Sequence, residues 1–274
     1  MDIGRALTFY TEDPRWKEKL GIGIGMLLVS TLLSFVLVGI VGFIILMGYS
    51  VRLLQNVRDG KTHPLPEWDQ WGEDLGRGFK LFVVTFIWAI PIFFVMIPTM
   101  IGAAMTDGGG GGNDGVVFIG VLLITCGTCL SIIYGLLYAY LTPGITVLFA
   151  EDEKISSGLR VKEIWQWSRE RVGEVLIVLL LTLAVGVAMS IIAPFGVLLC
   201  GIGLLVTLPA SMLLTYLIQY HLFGQLARSG KALVPAAAPV APVAPVAPVD
   251  PFSGDVWSEE VEDVVKDQEP TDVL

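Results

Sequence analysis

Three groupings of residues in this chain could do chemistry. Cys126-Gly127-Thr128-Cys129 has the spacing of a dithiol pair, which can pass electrons by closing and opening a disulfide. His63, Glu67, Asp69 and Glu73 could gather a cation, since Asp69 and Glu73 stand four residues apart and would share one face of a helix. His221, between Tyr220 and Leu222, could relay a proton. Each has a plainer reading. The cysteines lie about ten residues into an apolar run, roughly 15 Å deep at about 1.5 Å per helical residue, where no soluble partner reaches, so they read as small helix-packing residues. The carboxylates match no dedicated metal motif. His221 comes near the end of an apolar run and reads as a hydrogen-bonded interfacial side chain. With no Ser-His-Asp set, phosphate-cradling glycine loop or zinc-ligand spacing in view, the sequence predicts no catalytic residue, no metal ligand, no cofactor and no enzymatic activity.

The elements that would hold these residues are apolar helices. Hydrophobic residues make up 54% of the 274 and charged residues 16%, with a mean hydropathy of +0.73, which is too much apolar surface for a soluble domain of this length. Crossing a bilayer takes about 20 apolar residues in a helix. Residues 21–48, 81–105, 116–150 and 175–227 qualify, and none of them contains Asp, Glu, Lys or Arg. Ion-coupled transport usually shows ionisable groups at mid-membrane, so their absence argues against it. The last run is long enough for a hairpin, with Pro194-Phe195-Gly196 as its turn, and Pro143-Gly144 marks where the third helix ends or bends. Pro91, Pro98 and Pro209 would kink their helices. No small-residue cleavage site follows the first run, which is expected to stay in the mature protein.

Orientation follows from Lys and Arg in the loops. Residues 49–80 and 151–174 carry five each and 228–231 carry two, whereas 106–115 and 193–196 carry none. This places the chain in the cell membrane with the C-terminus cytoplasmic. The N-terminal segment, with Arg5, Arg15, Lys17 and Lys19, asks for the same side as residues 49–80. The first run then either crosses once against that preference or turns back as a re-entrant hairpin. Tyr49–Lys61 and Tyr220–Lys231 resemble one another, which hints at a degenerate repeat whose first unit is a shortened hairpin. The predicted fold is all-α: a polytopic helical membrane bundle of four to five spans, a possible N-terminal re-entrant hairpin, and a disordered C-terminal tail.

Between the first two runs, Trp68, Trp71, Leu75, Phe79, Phe82 and Phe86 recur at helical spacing. They predict an interfacial helix opened by Pro66, with Trp68 and Trp71 at headgroup depth. A second interfacial helix is expected over 156–172, capped by Ser156 or Ser157, with Val161, Trp165, Ser168 and Val172 on one face and Trp165 and Trp167 as anchors. Residues 1–231 form the membrane domain. Residues 232–251 are a Pro/Ala/Val-rich spacer of polyproline type, and 252–274 an acidic segment in which Phe252 and Trp257 are candidates for docking a soluble partner. Nine acids against one lysine beyond Lys231 put −8 of the net charge of −9 in this tail. No basic face fit for nucleic acid is left elsewhere.

The succession Gly48-Tyr49, Arg52, Asn56, Gly60, then Leu65-Pro66-Glu67-Trp68-Asp69, Trp71-Gly72 and Gly78-Lys80 resembles the signature of a domain-of-unknown-function family of polytopic bacterial and archaeal membrane proteins. The likeness extends through Tyr220 and Gly224-Gln225 and covers roughly residues 1–231. It implies no established activity. Members of the family it resembles often carry a proline in the first apolar run that this chain lacks, which argues against the re-entrant hairpin. The residues favour a non-catalytic scaffold or assembly factor at the cytoplasmic face, with the bilayer and a soluble protein as partners. The alternative is a permease or lipid-handling protein for a neutral or amphipathic molecule.

Overall fold

The computed structural model describes residues 2–36, 38–107, 114–198 and 202–232. In these residues the regular structure is all helix: α1 (Ile3–Thr8), α2 (Trp16–Leu32), α3 (Ile40–Arg58), α4 (Trp71–Asp107), α5 (Asp114–Asp152), α6 (Val161–Glu170), α7 (Val172–Ile192) and α8 (Ile202–Ala232). Six of these, all but the short α1 and α6, are long and apolar enough to cross a membrane. The expected all-α membrane bundle is what forms.

The first apolar run contributes two helices. Residues 21–48 alone fall short of two spans, but α2 draws in Trp16–Leu20 and α3 continues to Arg58. The arms reach 17 and 19 residues, about 26 and 29 Å at 1.5 Å per residue against a hydrocarbon core of about 30 Å. A 3-10 turn at Leu33–Val36 leads into the bend. The last run follows the same plan, with α7, a 3-10 turn at Ala193–Leu198, and α8. There the Thr207 hydroxyl donates to the Ala193 carbonyl at 2.8 Å. Short helices, α1 and α6, precede the two hairpins.

Packing is concentrated at one end of the bundle. The most apolar window of α3 is 61% buried, whereas those of α4, α5 and α7 are each 11% buried. So α3 is the central helix, and the others present most of their apolar length outward, as lipid-facing helices do. Tyr49, Leu53, Leu54, Leu81, Val84, Phe149, Leu217 and Leu226 form the core at that end.

Two helix crossings depend on missing side chains. A Cβ on Gly48 would stand 1.8 Å from the Asp74 carbonyl oxygen, and one on Gly78 1.8 Å from that of Ile44. Hence α3 and α4 touch backbone to backbone. Gly224 brings α8 onto α3 in the same way, its Cβ position 2.6 Å from Val57. The helix signal read over Trp68 to Phe86 begins later than the spacing predicts, at Trp71, and its buried face is Asp74, Gly78, Leu81 and Val84. Trp71, Phe79, Phe82 and Phe86 are exposed. The aromatic stripe faces outward because bilayer tails accept apolar side chains as readily as a protein core does.

Gly48→Ala should lower the stability of the purified protein by about 1–3 kcal/mol through overpacking. Gly76→Ala, on the open side of α4 with nothing within 4 Å, should leave it unchanged or slightly raised. Thermal unfolding in detergent compares the two, and a wild-type transition for Gly48→Ala would contradict the backbone-to-backbone crossing.

Candidate functional site

The residues between α3 and α4 form a folded plug, held by side chains from α2 and α3. Helix α3 ends in a Schellman motif: Gly60 takes φ of +75°, Lys61 N–H donates to Asn56 O at 3.0 Å and Gly60 N–H to Val57 O at 3.1 Å. The chain then turns back across the end of α3. Asn56 donates to the Pro64 carbonyl at 2.8 Å, the Tyr49 hydroxyl donates to the Pro66 carbonyl at 2.9 Å, and the Trp68 indole donates to the Lys19 carbonyl at 2.8 Å. The Tyr49 and Trp68 rings stack at 3.9 Å. Trp68 is therefore part of the plug. Trp71, at the first turn of α4, is exposed.

Charges complete the closure. Asp74, 1% exposed, receives Arg52 Nη2 at 2.8 Å on one oxygen and Arg77 Nη1 at 2.8 Å on the other. Arg52 also reaches Asp69 at 2.9 Å and donates to the Glu67 carbonyl. Arg77 continues to Glu153 at 2.7 Å, which also accepts from Gln55 at 2.9 Å. On the α2 side, Lys19 binds Asp13 at 2.6 Å, Glu67 at 2.9 Å and the Leu65 carbonyl at 3.0 Å, and Arg15 pairs with Glu67. Asp13, Arg15, Lys19, Arg52, Glu67, Asp69 and Arg77 line a polar cleft of 820 Å³. Of the four residues read as a possible cation site, Glu67 and Asp69 are turned to Lys19, Arg15 and Arg52.

The carboxyls outside the spans respond to these neighbours. Burial pushes Asp13 and Glu153 up, but Lys19 and the Arg15 amide on Asp13, and Gln55 and Arg77 on Glu153, outweigh it and leave both below their ordinary values. The Arg52 guanidinium does the same for the exposed Asp69. Glu153 occupies a left-handed conformation at φ of +54°, a position that favours glycine. Its carboxylate ties the end of α5 to α3 and α4, beside the Ala150 carbonyl, which accepts from Gln55 at 3.0 Å.

A second cavity, of 610 Å³, lies between α5, α7 and α8. Its wall includes Tyr138, Thr142, Thr182, Gly186, Ser190, Thr215, Gln219 and Phe223, and no acidic or basic residue. Leu183 and Val187 on its rim are exposed on the outside of the bundle. Thr142 and Thr215 bond back to carbonyls of their own helices, whereas the Thr182 hydroxyl is buried with no partner among the described residues.

Helix α6 starts at Val161, after a 3-10 turn in which Ser157 bonds Asp152 at 2.6 Å instead of capping. Ile164 and Ser168 are its buried positions, while Val161 and Trp165 are exposed. Trp167 is half-buried under the Arg171 guanidinium, 4.8 Å away. Cys126 and Cys129 face outward, and Gly127 between them is the packed residue, beside Thr99. His221 is buried and stacked on Phe9 at 4.1 Å. Phe252 and Trp257 lie outside the described residues.

Asp74→Ala should cost about 3–5 kcal/mol, because it removes the buried carboxylate that Arg52 and Arg77 share. Size-exclusion and thermal profiles in detergent would report it. Acid should weaken the same end. Glu153 and Asp13 have folded values below their unfolded ones, so their stabilisation is full above the unfolded values near 4 and is lost as pH falls through the folded ones. Thermal stability should hold down to about pH 5 and fall below it, and Glu153→Gln should start lower and fall less. An acid response equal to wild type in Glu153→Gln would rule out its part in the closure.

Comparison with known proteins adds the family. No curated protein and no solved structure matches the chain. A family model described as a protein of unknown function, DUF4013, matches residues 31–200, which takes in α3, the plug, the Asp74 and Glu153 contacts and most of the outward-facing helices. Carrying the Gly48 to Lys80 motif at the contact between its first two helical hairpins, this multi-spanning membrane protein belongs to the DUF4013 family.

Proposed function

We propose that this chain is a non-catalytic protein of the cell membrane that holds a neutral, amphipathic molecule between α5, α7 and α8, with its charged end in the cytoplasm. The observation that carries this reading is the 610 Å³ cavity, which has the size of a small-molecule site and no charged residue in its wall. Gln219 and Thr182 offer hydrogen bonds amid apolar surface, which suits a molecule with an ester, amide or hydroxyl group on a hydrocarbon body. The exposed rim at Leu183 and Val187 supports entry from the bilayer. Cytoplasmic placement of the charged end is supported by the Lys and Arg distribution among the loops.

The scaffolding alternative puts the work in residues 232–274. The two readings separate cleanly by experiment. A photoactivatable diacylglycerol should label peptides of α5, α7 and α8 in the purified protein, and deletion of residues 232–274 should leave that labelling intact. Gly186→Phe should abolish it by filling the cavity, since nothing stands within 4 Å of a Cβ there. Gln219→Leu should weaken it about three- to tenfold, the net worth of one hydrogen bond. Labelling that is spread over all helices and indifferent to Gly186→Phe would sink the proposal.

A further inference from the structure

Helix α6 carries a cleft of 570 Å³ lined by Lys162, Trp165, Gln166, Arg169 and Glu170. We propose that this face is a binding site for the phosphate headgroup of an anionic phospholipid, gripped by Lys162 and Arg169 on either side of Trp165. It is independent of the cavity between α5, α7 and α8.

The charges single out these two cations. The basic residues bracketing α6 are occupied, Arg160 by Glu163 at 3.2 Å and Arg171 by the Trp167 ring and by Glu170 at 3.8 Å. Lys162 and Arg169 have no hydrogen bond or ion pair among the described residues. They stand seven residues apart, two turns or about 10.5 Å along the axis, and both side chains are long enough to converge on one phosphodiester over the intervening tryptophan. The acid in the cleft, Glu170, already accepts from Gln166 at 3.1 Å.

Depth and rigidity identify the ligand as a lipid. Only Arg171 separates α6 from α7, whose apolar length begins at Val172, so α6 lies where headgroups do. It is fixed there by Ile164 and Ser168, by the Tyr140 hydroxyl donating to the Ser168 carbonyl at 2.9 Å, and by Gly144, whose Cβ position is 2.9 Å from the Ser168 hydroxyl. Trp165 rests edge-on against Tyr140 at 6.3 Å and is otherwise exposed. Val161 and Val172, both exposed, flank this face with apolar surface for the acyl chains. An indole between two free cations at an apolar boundary complements an anionic lipid on each count.

The test is native mass spectrometry of the full chain in non-ionic detergent, titrated with phosphatidylglycerol and with phosphatidylcholine. Phosphatidylglycerol should bind preferentially, and K162Q/R169Q should weaken it about fivefold per charge removed, with phosphatidylcholine unaffected. Lys17→Gln, a distant exposed lysine, should behave as wild type. Both substituted side chains are unpaired, so the double variant should keep the wild-type melting temperature. Should it not, the single variants K162Q and R169Q carry the comparison. Equal binding of the two lipids by the wild type, undiminished phosphatidylglycerol binding by the variants, or displacement of the lipid by millimolar inorganic phosphate would each overturn the proposal.

Discussion

The buried carboxylate of Asp74 is the constraint around which the polar end of this protein is arranged. One carboxylate with two oxygens can satisfy two guanidiniums, and Arg52 and Arg77 take one each. Because Arg52 belongs to α3, Asp74 and Arg77 to α4, and Glu153 follows α5, the line of charges joins two consecutive hairpins. A buried ion network of this sort need not add net stability over an apolar packing of the same volume. What it does add is register: none of the partners can slide by a turn without stranding a charge. The backbone contact of Gly48 with Asp74 sets the same register a second time, through shape.

That fixed end contrasts with the rest of the bundle. Away from the plug, α4, α5 and α7 expose most of their apolar length. Packing among them is carried by local close approaches, such as Gly102 with Gly120 and Gly127 with Thr99. Lipid supplies the remaining contacts. A cavity between α5, α7 and α8 fits this division, since helices anchored at one end and loosely apposed beyond it leave space that close-packed ones would not.

The spans were legible because they are free of charge over long stretches, and the last hairpin because Pro194 and Gly196 interrupt one. The N-terminal hairpin was visible only as a conflict, with basic residues at both ends of a single run. The conflict resolves once Trp16–Leu20 and Tyr49–Arg58 are counted as helix. Neither stretch is apolar enough to attract notice, yet Lys19 and Arg52 are held by carboxylates and not by water. The motif from Gly48 to Lys80 was recognisable as a pattern, but its purpose was not. Nothing local reveals that Tyr49 and Asn56 reach the carbonyls of Pro66 and Pro64, or that Trp68 stacks inward while Trp71 faces out. The aromatic stripe of α4 misled for a physical reason. In a bilayer the apolar face of a helix is no guide to its core face, and the small and polar positions at Asp74, Gly78 and Ser168 mark the contacts instead.

The span of the Asp74 network also bears on biogenesis. The chain emerges from the ribosome N-terminus first, so Arg52, Asp74 and Arg77 all reach the membrane more than 75 residues before Glu153 does. Until then Arg77 lacks its second partner and the first hairpins cannot complete their polar seal. Closure of the plug thus reports that α5 has been made and returned to the starting side, and an intermediate halted before Glu153 would show its unfinished charged end to whatever guards newly inserted helices.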